Sequence, residues 1–160
     1  EVSQATKIFL FLGPSFPSIS NENIVSDINT YLVSFIKLVE SSIKNNINEI
    51  IMLSSAGTVY GSSTTLNYQE DSLPFQENSY GILLKAMENY LILSAKKHFV
   101  KYKILRLSNV FGFYHRSEIN GFINIAIRNT LKNFPVKIFS NNAQKNYIFS
   151  YNFIVVKQFY

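Results

Sequence analysis

The chain contains short, continuous apolar runs that end at residues unfavourable to strands. The first run extends from Lys7 to Gly13 and is stopped by Pro14, and a second extends from Glu49 to Leu53. An unbroken apolar run of this length is typical of a strand buried on both faces, as in parallel sheets. These runs therefore predict the strands of a parallel sheet covered by helices.

Between the strands, apolar residues recur every three or four positions, which is the spacing of an amphipathic helix. The alternation of strands and helices predicts a parallel α/β sheet with right-handed crossovers. The apolar face of the first helix comprises Val25, Ile28, Leu32, Phe35, Ile36, Val39 and Ile43. The predicted strands are 7–13, 49–53, 103–107 and 136–139, and the predicted helices are 25–43, 79–98 and 121–133.

Length and composition exclude several classes of protein. A chain of 160 residues with 47% hydrophobic residues suits one globular domain and is too apolar to be disordered. No stretch approaches the ~20 apolar residues of a membrane helix, and no targeting segment is visible at the N-terminus. Because the chain has no cysteine, it can form neither disulfides nor a thiolate metal site.

The net charge of +5 comes from lysines and arginines that are scattered along the chain. Without a dense basic cluster, solvated surface lysines are the expected explanation, and no nucleic-acid partner is predicted. His98 and His115 have no partners at metal-ligand spacing, so no metal site is predicted.

Three motifs occur in a fixed order: Leu53–Gly61 (LSSAGTVYG), Ser79–Ile82 (SYGI) and Leu105–Gly112 (LRLSNVFG). Together they resemble the NAD-dependent epimerase/dehydratase family, the extended short-chain dehydrogenase/reductases that include UDP-glucose 4-epimerase. The resemblance continues through Asn120–Ile123 and through Lys145–Ile148, where the family has Arg-Asp-Tyr-Ile.

The resemblance implies a partial Rossmann-like, doubly wound parallel sheet. Family members begin with a strand, a Gly-rich turn and a helix that binds the NAD pyrophosphate, but no G-x-x-G-x-x-G occurs in these 160 residues. We therefore expect residues 1–160 to be the central and later part of an NAD(P)-binding domain that lacks the N-terminal Gly-rich βαβ unit. Ile8–Leu12 would then be an apolar sheet edge, open to a missing N-terminal segment or to a homodimer partner.

The family transfers hydride from a sugar carbon to NAD while a tyrosine takes the hydroxyl proton. Tyr80 matches that tyrosine. The alternative role for Tyr80 is structural, as a tyrosine at the start of a helix whose ring is packed. The family's lysine follows four residues later, where this chain has Leu84, and Lys85 comes five residues later. On a regular helix Lys85 faces another side, as an ordinary surface lysine would, unless a π-bulge shifts the register.

The family's catalytic hydroxyl aligns with Ala56, so Ser54, Ser55 and Thr58 are the candidate substitutes, and the family's helix asparagine aligns with Tyr31. By resemblance, Ser54 and Tyr80 would also contact the cofactor NAD. The remaining expected contacts are Phe11, Leu12 and Gly13 for NAD, and Asn109, Asn120 and Lys145 for a nucleotide-sugar substrate. Ordinary loop or strand-end roles are equally open for these residues.

Two functions remain open. The chain is either part of a nucleotide-sugar epimerase or dehydratase, as a fragment or impaired member, or a non-catalytic remnant that binds a nucleotide or a partner. The substitutions at Tyr31, Ala56 and Leu84 favour the second. A cytoplasmic location and no membrane partner are expected in either case.

Overall fold

The computed structural model describes residues 5–14, 16–17, 19–61, 69–70, 76–113, 117, 120–138 and 145–151. It contains two compact units, Glu1–Arg106 and Leu107–Tyr160. The first unit has a three-stranded sheet in the order β1-β2-β3. Its strands are β1 (Lys7–Leu10), β2 (Glu49–Ser55) and β3 (Lys101–Leu107).

Parallel pairing of β1 with β2 confirms the predicted sheet type, with Lys7 opposite Glu49 and Leu10 opposite Met52. The predicted helices at the middle of the chain are also present. The helical segments of the first unit are α1 (Ile24–Asp27), a π-helix (Ile28–Leu32), α2 (Val33–Lys44), α3 (Ala56–Val59) and α4 (Ser79–His98).

The core of the first unit lies between one face of the sheet and helices α2 and α4. Alternate strand residues point to this face, because successive side chains of a strand point to opposite sides. Tyr31 and Tyr80 pack against the edge of the cluster. Its buried members are Leu10, Phe35, Val39, Ile47, Ile50, Met52, Val59, Leu84, Met87 and Leu91.

The π-helix overturns part of the predicted apolar face of the first helix. Val25 is 72% exposed, whereas Asp27 is buried. A π turn takes in an extra residue and so rotates the side chains before it relative to those after it. The uniform three- and four-residue spacing holds for Phe35 and Val39 but fails upstream of residue 28.

The opposite face of the sheet presents aromatic rings at its edge. Phe9 and Phe11 are exposed and stack with ring centroids 6.5 Å apart. On the same face, the Glu49 carboxylate pairs with Lys7 at 2.8 Å and with Lys103 at 3.3 Å. Among the described strands, β1 has β2 as its neighbour and ends the sheet.

The second unit contains β4 (Asn109–Phe111), α5 (Phe122–Leu131) and β5 (Tyr147–Phe149), with β4 parallel to β5. The prediction of a strand at 136–139 is wrong for residues 136–138, and Phe139 lies outside the described residues. After α5, Asn133 adopts a positive φ and the Asn129 amide donates to the Pro135 carbonyl at 3.1 Å. This fold-back holds the segment against the end of the helix.

Candidate functional site

The candidate site in the first unit is built around the start of α4. Asn78 caps the helix, its side-chain oxygen accepting from the Gly81 amide at 2.8 Å. The Ser79 amide donates to the Asn21 side chain at 2.8 Å. A helix begins where such side chains satisfy its free amides, so these contacts fix Tyr80 in the first turn. Its ring is half-buried against the core.

The segment after β2 packs against this first turn. The carbonyl of Thr58, in α3, lies so close to Gly81 that a Cβ on Gly81 would be 2.5 Å from its oxygen. The Val59 carbonyl accepts from the Gln76 side chain at 2.9 Å. The hydroxyl-bearing segment and the tyrosine-bearing turn are therefore in contact through backbone atoms.

Burial raises the pKa of Tyr80 above its usual value. Taking a proton from a substrate requires the phenolate, and burial disfavours that charged form. The direction of this shift is opposite to the one that a neighbouring lysine would produce. The burial of Tyr80 therefore favours its neutral phenol over the phenolate.

The three candidate hydroxyls differ in what they contact. Ser54 is buried and its Oγ donates to Glu88 Oε1 at 2.7 Å, so it is held in the fold. Ser55 is the N-cap residue of α3, where its side chain makes no capping bond. Thr58 Oγ1 is buried and has no hydrogen-bond partner among the described residues. An unpaired buried hydroxyl is unusual, and it leaves Thr58 able to bond a ligand.

Lys85 and Leu84 lie on a regular helix. No π-bulge interrupts α4 between Ser79 and His98, and the π-helix of this unit contains Tyr31 instead. Leu84 is 2% exposed, in the core. Lys85 Nζ lies 3.3 Å from Glu88 Oε2. The structure therefore leaves Lys85 without the register shift that would bring it to the position four residues after Tyr80.

Sequence reasoning missed the buried carboxylate of Glu88. It accepts hydrogen bonds from Ser54 and from both Nε and Nη2 of Arg106, at 2.9 and 2.8 Å. Burial would raise the pKa of Glu88, but these hydrogen bonds and the charges of Arg106 and Lys85 lower it below its usual value. A signal existed: Glu88 falls on the apolar face of α4 and Arg106 falls within a predicted strand, so opposite charges occupy two apolar positions.

The residues expected to line NAD lie at the end of β1. Phe11 is 62% exposed, and Leu12 packs against the core. Among the described residues, no heavy atom lies within 4 Å of a Cβ built on Gly13. Ser54 lies on the neighbouring strand β2.

The substrate-side candidates lie in the second unit. The Asn109 amide side chain donates to the Asn146 carbonyl at 3.0 Å, which places it beside the exposed Lys145. Asn120 Nδ2 is buried and unpaired within the described part of this unit. Asn109 is thus used in pairing β4 with the segment before β5, whereas Asn120 has a free donor for a ligand.

Where the structure describes the chain, it contains no helix long and apolar enough to cross a membrane. The same residues contain no group of three or more acidic, histidine or cysteine side chains that could hold a metal ion. His115 lies outside the described residues.

The parallel sheet, with hydroxyls at the end of β2 and a half-buried tyrosine at the start of the next helix, defines a partial Rossmann-like fold of the extended short-chain dehydrogenase/reductase class. A family model described as the NAD dependent epimerase/dehydratase family matches residues 1–154, and the chain belongs to this family. The resemblance inferred from the three motifs is confirmed.

Two relatives share about a third of the aligned residues. The dTDP-4-dehydro-6-deoxyglucose reductase of Escherichia coli is 32% identical over 136 residues, covering 84% of this chain and 43% of the relative. The putative UDP-glucose 4-epimerase of Methanocaldococcus jannaschii is 33% identical over 128 residues, covering 78% and 41%. The chain therefore spans less than half the length of these relatives.

Solved structures share the fold. The UDP-glucose 4-epimerase of Thermotoga maritima, determined with UDP-glucose, superposes with a TM-score of 0.87 at 24% identity, over 96% of this chain and 50% of that one. The enzyme of the same name from Thermus thermophilus, in complex with NAD, gives 0.85 at 20% identity, over 98% and 53%. The predicted partial Rossmann-like fold is confirmed.

Proposed function

We propose that this chain forms the tyrosine-bearing part of an NAD-dependent nucleotide-sugar epimerase or dehydratase, with Tyr80 as its proton acceptor. The observation that carries the proposal is the contact between the turn holding Tyr80 and the segment holding the unpaired Thr58 hydroxyl. Family membership and the sugar-nucleotide relatives support the same substrate class.

Within this proposal, Tyr80 takes the proton of the sugar hydroxyl and Thr58 donates a hydrogen bond to the same oxygen. Bound NAD supplies the acceptor for the hydride that leaves the sugar carbon. Phe11 would form an apolar wall beside the planar nicotinamide ring of NAD, and Gly13 would leave space for that ring. Asn120 would donate to the substrate, and the Lys145 ammonium would pair with its phosphate as a single charge instead of a bidentate guanidinium.

The proposed activity is impaired, because no cation of the described residues lowers the pKa of Tyr80. Leu84 occupies the position four residues later and is buried, and the Lys85 ammonium is paired with Glu88. The same observation favours a second candidate function, a non-catalytic module that binds a nucleotide or a partner. The two candidates differ in whether substitution of Tyr80 changes anything beyond binding.

The test uses the full-length protein that carries this chain, assayed for bound NAD and for conversion of UDP- and dTDP-sugars. We expect slow turnover that Tyr80→Phe abolishes. Tyr90→Phe is the matched control, because Tyr90 is an exposed tyrosine on the same helix and should leave turnover unchanged. If the unsubstituted protein retains NAD but shows no turnover, the non-catalytic module is favoured. If it neither retains NAD nor shows turnover, the proposed function is overturned.

A further inference from the structure

The Glu88 carboxylate joins three elements of the first unit. It is fully buried on α4 and binds Ser54 at the end of β2 and Arg106 on β3. Both of its oxygens are used by the guanidinium, in the two-pronged geometry that fixes orientation as well as distance. The Glu88 side chain has no exposed surface, so its hydrogen-bond partners determine where it lies.

The remaining donor group of Arg106 faces the segment after α3. Nη1 donates to Tyr60 Oη at 2.9 Å and to the Glu70 carbonyl at 2.9 Å. The guanidinium carbon lies 4.8 Å from the centroid of the Tyr60 ring, within cation–π range. One guanidinium therefore links the buried carboxylate on α4 to the connection between β2 and α4.

These contacts hold the segment Ser54–Tyr60 at both ends. Ser54 is bound by Glu88 and Tyr60 by Arg106, while Thr58 between them lies against Gly81 of the first turn of α4. A buried ion pair adds little net stability compared with apolar residues of the same volume, because both charges lose their hydration. Its specific contribution is geometric, in setting where the segment lies.

We propose that Glu88 and Arg106 are a positioning pair that sets the placement of Thr58 relative to Tyr80. This inference rests on the proposed function for its catalytic consequence, although the positioning itself is a property of the fold. Neither residue is assigned to contact the substrate or the cofactor. Glu88 acts on Tyr60 through Arg106, and on Thr58 through the two held ends of the segment.

The first experiment measures positioning without any activity. The protein is labelled with ¹³C at the ζ carbon of tyrosine, and the signals of Tyr60 and Tyr80 are assigned with Tyr60→Phe and Tyr80→Phe. Glu88→Gln keeps the size of the side chain but places an amide against Arg106. We expect this substitution to shift the signals of both Tyr60 and Tyr80. Tyr60 is informative because Arg106 links it to Glu88. Glu40→Gln, at an exposed position on α2, is the matched control and should shift neither.

An unchanged Tyr60 signal or an unchanged Tyr80 signal in folded Glu88→Gln protein would overturn the inference. Should Glu88→Gln fail to fold, Arg106→Lys decides the question, because lysine keeps the charge beside Glu88 but cannot also reach Tyr60 and Glu70. We expect the Tyr60 and Tyr80 signals to shift in Arg106→Lys. Unchanged signals there would equally overturn the positioning role.

The second experiment measures kinetics in the full-length protein. Misplacement of a reacting group lowers the rate of the chemical step, so we expect Glu88→Gln to lower kcat by roughly 10- to 100-fold with little change in KM. Shifted tyrosine signals together with a lower kcat would support the positioning pair, whereas shifted signals with an unchanged kcat would overturn its catalytic consequence. If the unsubstituted protein shows no turnover, the proposed function fails, and the tyrosine signals still decide the positioning.

Discussion

Lys85 Nζ lies 3.3 Å from Oε2 of Glu88, which is three residues further along α4. On a regular helix, residues i and i+3 are neighbours, whereas i and i+5 point to different sides. The lysine closest in sequence to Tyr80 therefore neutralises a buried carboxylate. The phenol of Tyr80 is left with burial as the cause of its pKa shift.

We expect turnover by the full-length protein to rise with pH over an unusually alkaline range. Because burial raises the pKa of Tyr80 above 10, the phenolate forms at higher pH than in a free tyrosine. The dependence of kcat/KM on pH measures this directly. A plateau reached near pH 7 would show that another group accepts the proton.

Leu84→Lys should destabilise the protein while shifting the alkaline limb of that profile towards neutral pH. Leu84 is 2% exposed, so the substitution removes core packing and buries an ammonium, at a cost of about 2–5 kcal/mol. Urea denaturation measures the loss, and Leu93→Lys at an exposed position of α4 should change stability by less than about 0.5 kcal/mol. If Leu84→Lys combined with Ala56→Ser leaves turnover unchanged, these positions are not what limits the activity.

Gly81→Ala should lower the free energy of unfolding by about 1–3 kcal/mol, although alanine favours helices. The added Cβ would lie 2.5 Å from the Thr58 carbonyl oxygen, and backbone cannot move aside cheaply. Gly13→Ala is the matched control, because its Cβ would meet nothing within 4 Å. Equal stability of the two variants in denaturant would contradict the close packing of α3 on α4.

Acid should destabilise the protein partly through Glu88. Its pKa in the folded state is lowered, so its contribution to stability is present above the unfolded value of about 4.3 and is lost as pH falls through the folded value. Glu88→Gln cannot titrate and should flatten the dependence of unfolding free energy on pH below about 4.3. If the unfolding free energy of Glu88→Gln falls with acid as steeply as that of the unsubstituted protein, other carboxylates dominate the loss of stability in acid.

The regular parts of the fold were predictable because their periodicity reflects burial directly. Strands β1 to β3 and helix α4 follow from apolar runs and helical spacing, although β1 ends at Leu10 and not at Gly13. The π-helix was not predictable, since spacing alone gives no sign of the extra residue that exposes Val25 and buries Asp27. Residues 136–138 look like a strand locally, but they follow a turn in which the Asn129 side chain donates to the Pro135 carbonyl, and they do not form a strand.

The candidate site was predictable in position but not in its contacts. Motif alignment located Tyr80 and the hydroxyls after β2, whose roles stay predictions. Sequence could not distinguish Ser54, which is bound to Glu88, from Thr58, whose Oγ1 is unpaired among the described residues. That difference depends on a carboxylate 34 positions away in sequence, which no local pattern connects to Ser54.

The burial of Leu84 has an evolutionary consequence. A leucine packed in the core is retained by selection for folding alone, whether or not any chemistry is selected. A lysine at this position would lower the ratio of folded to unfolded protein about fivefold for every kcal/mol lost, before any catalytic benefit could appear. A change from leucine to lysine at position 84 therefore needs compensating changes elsewhere in the core.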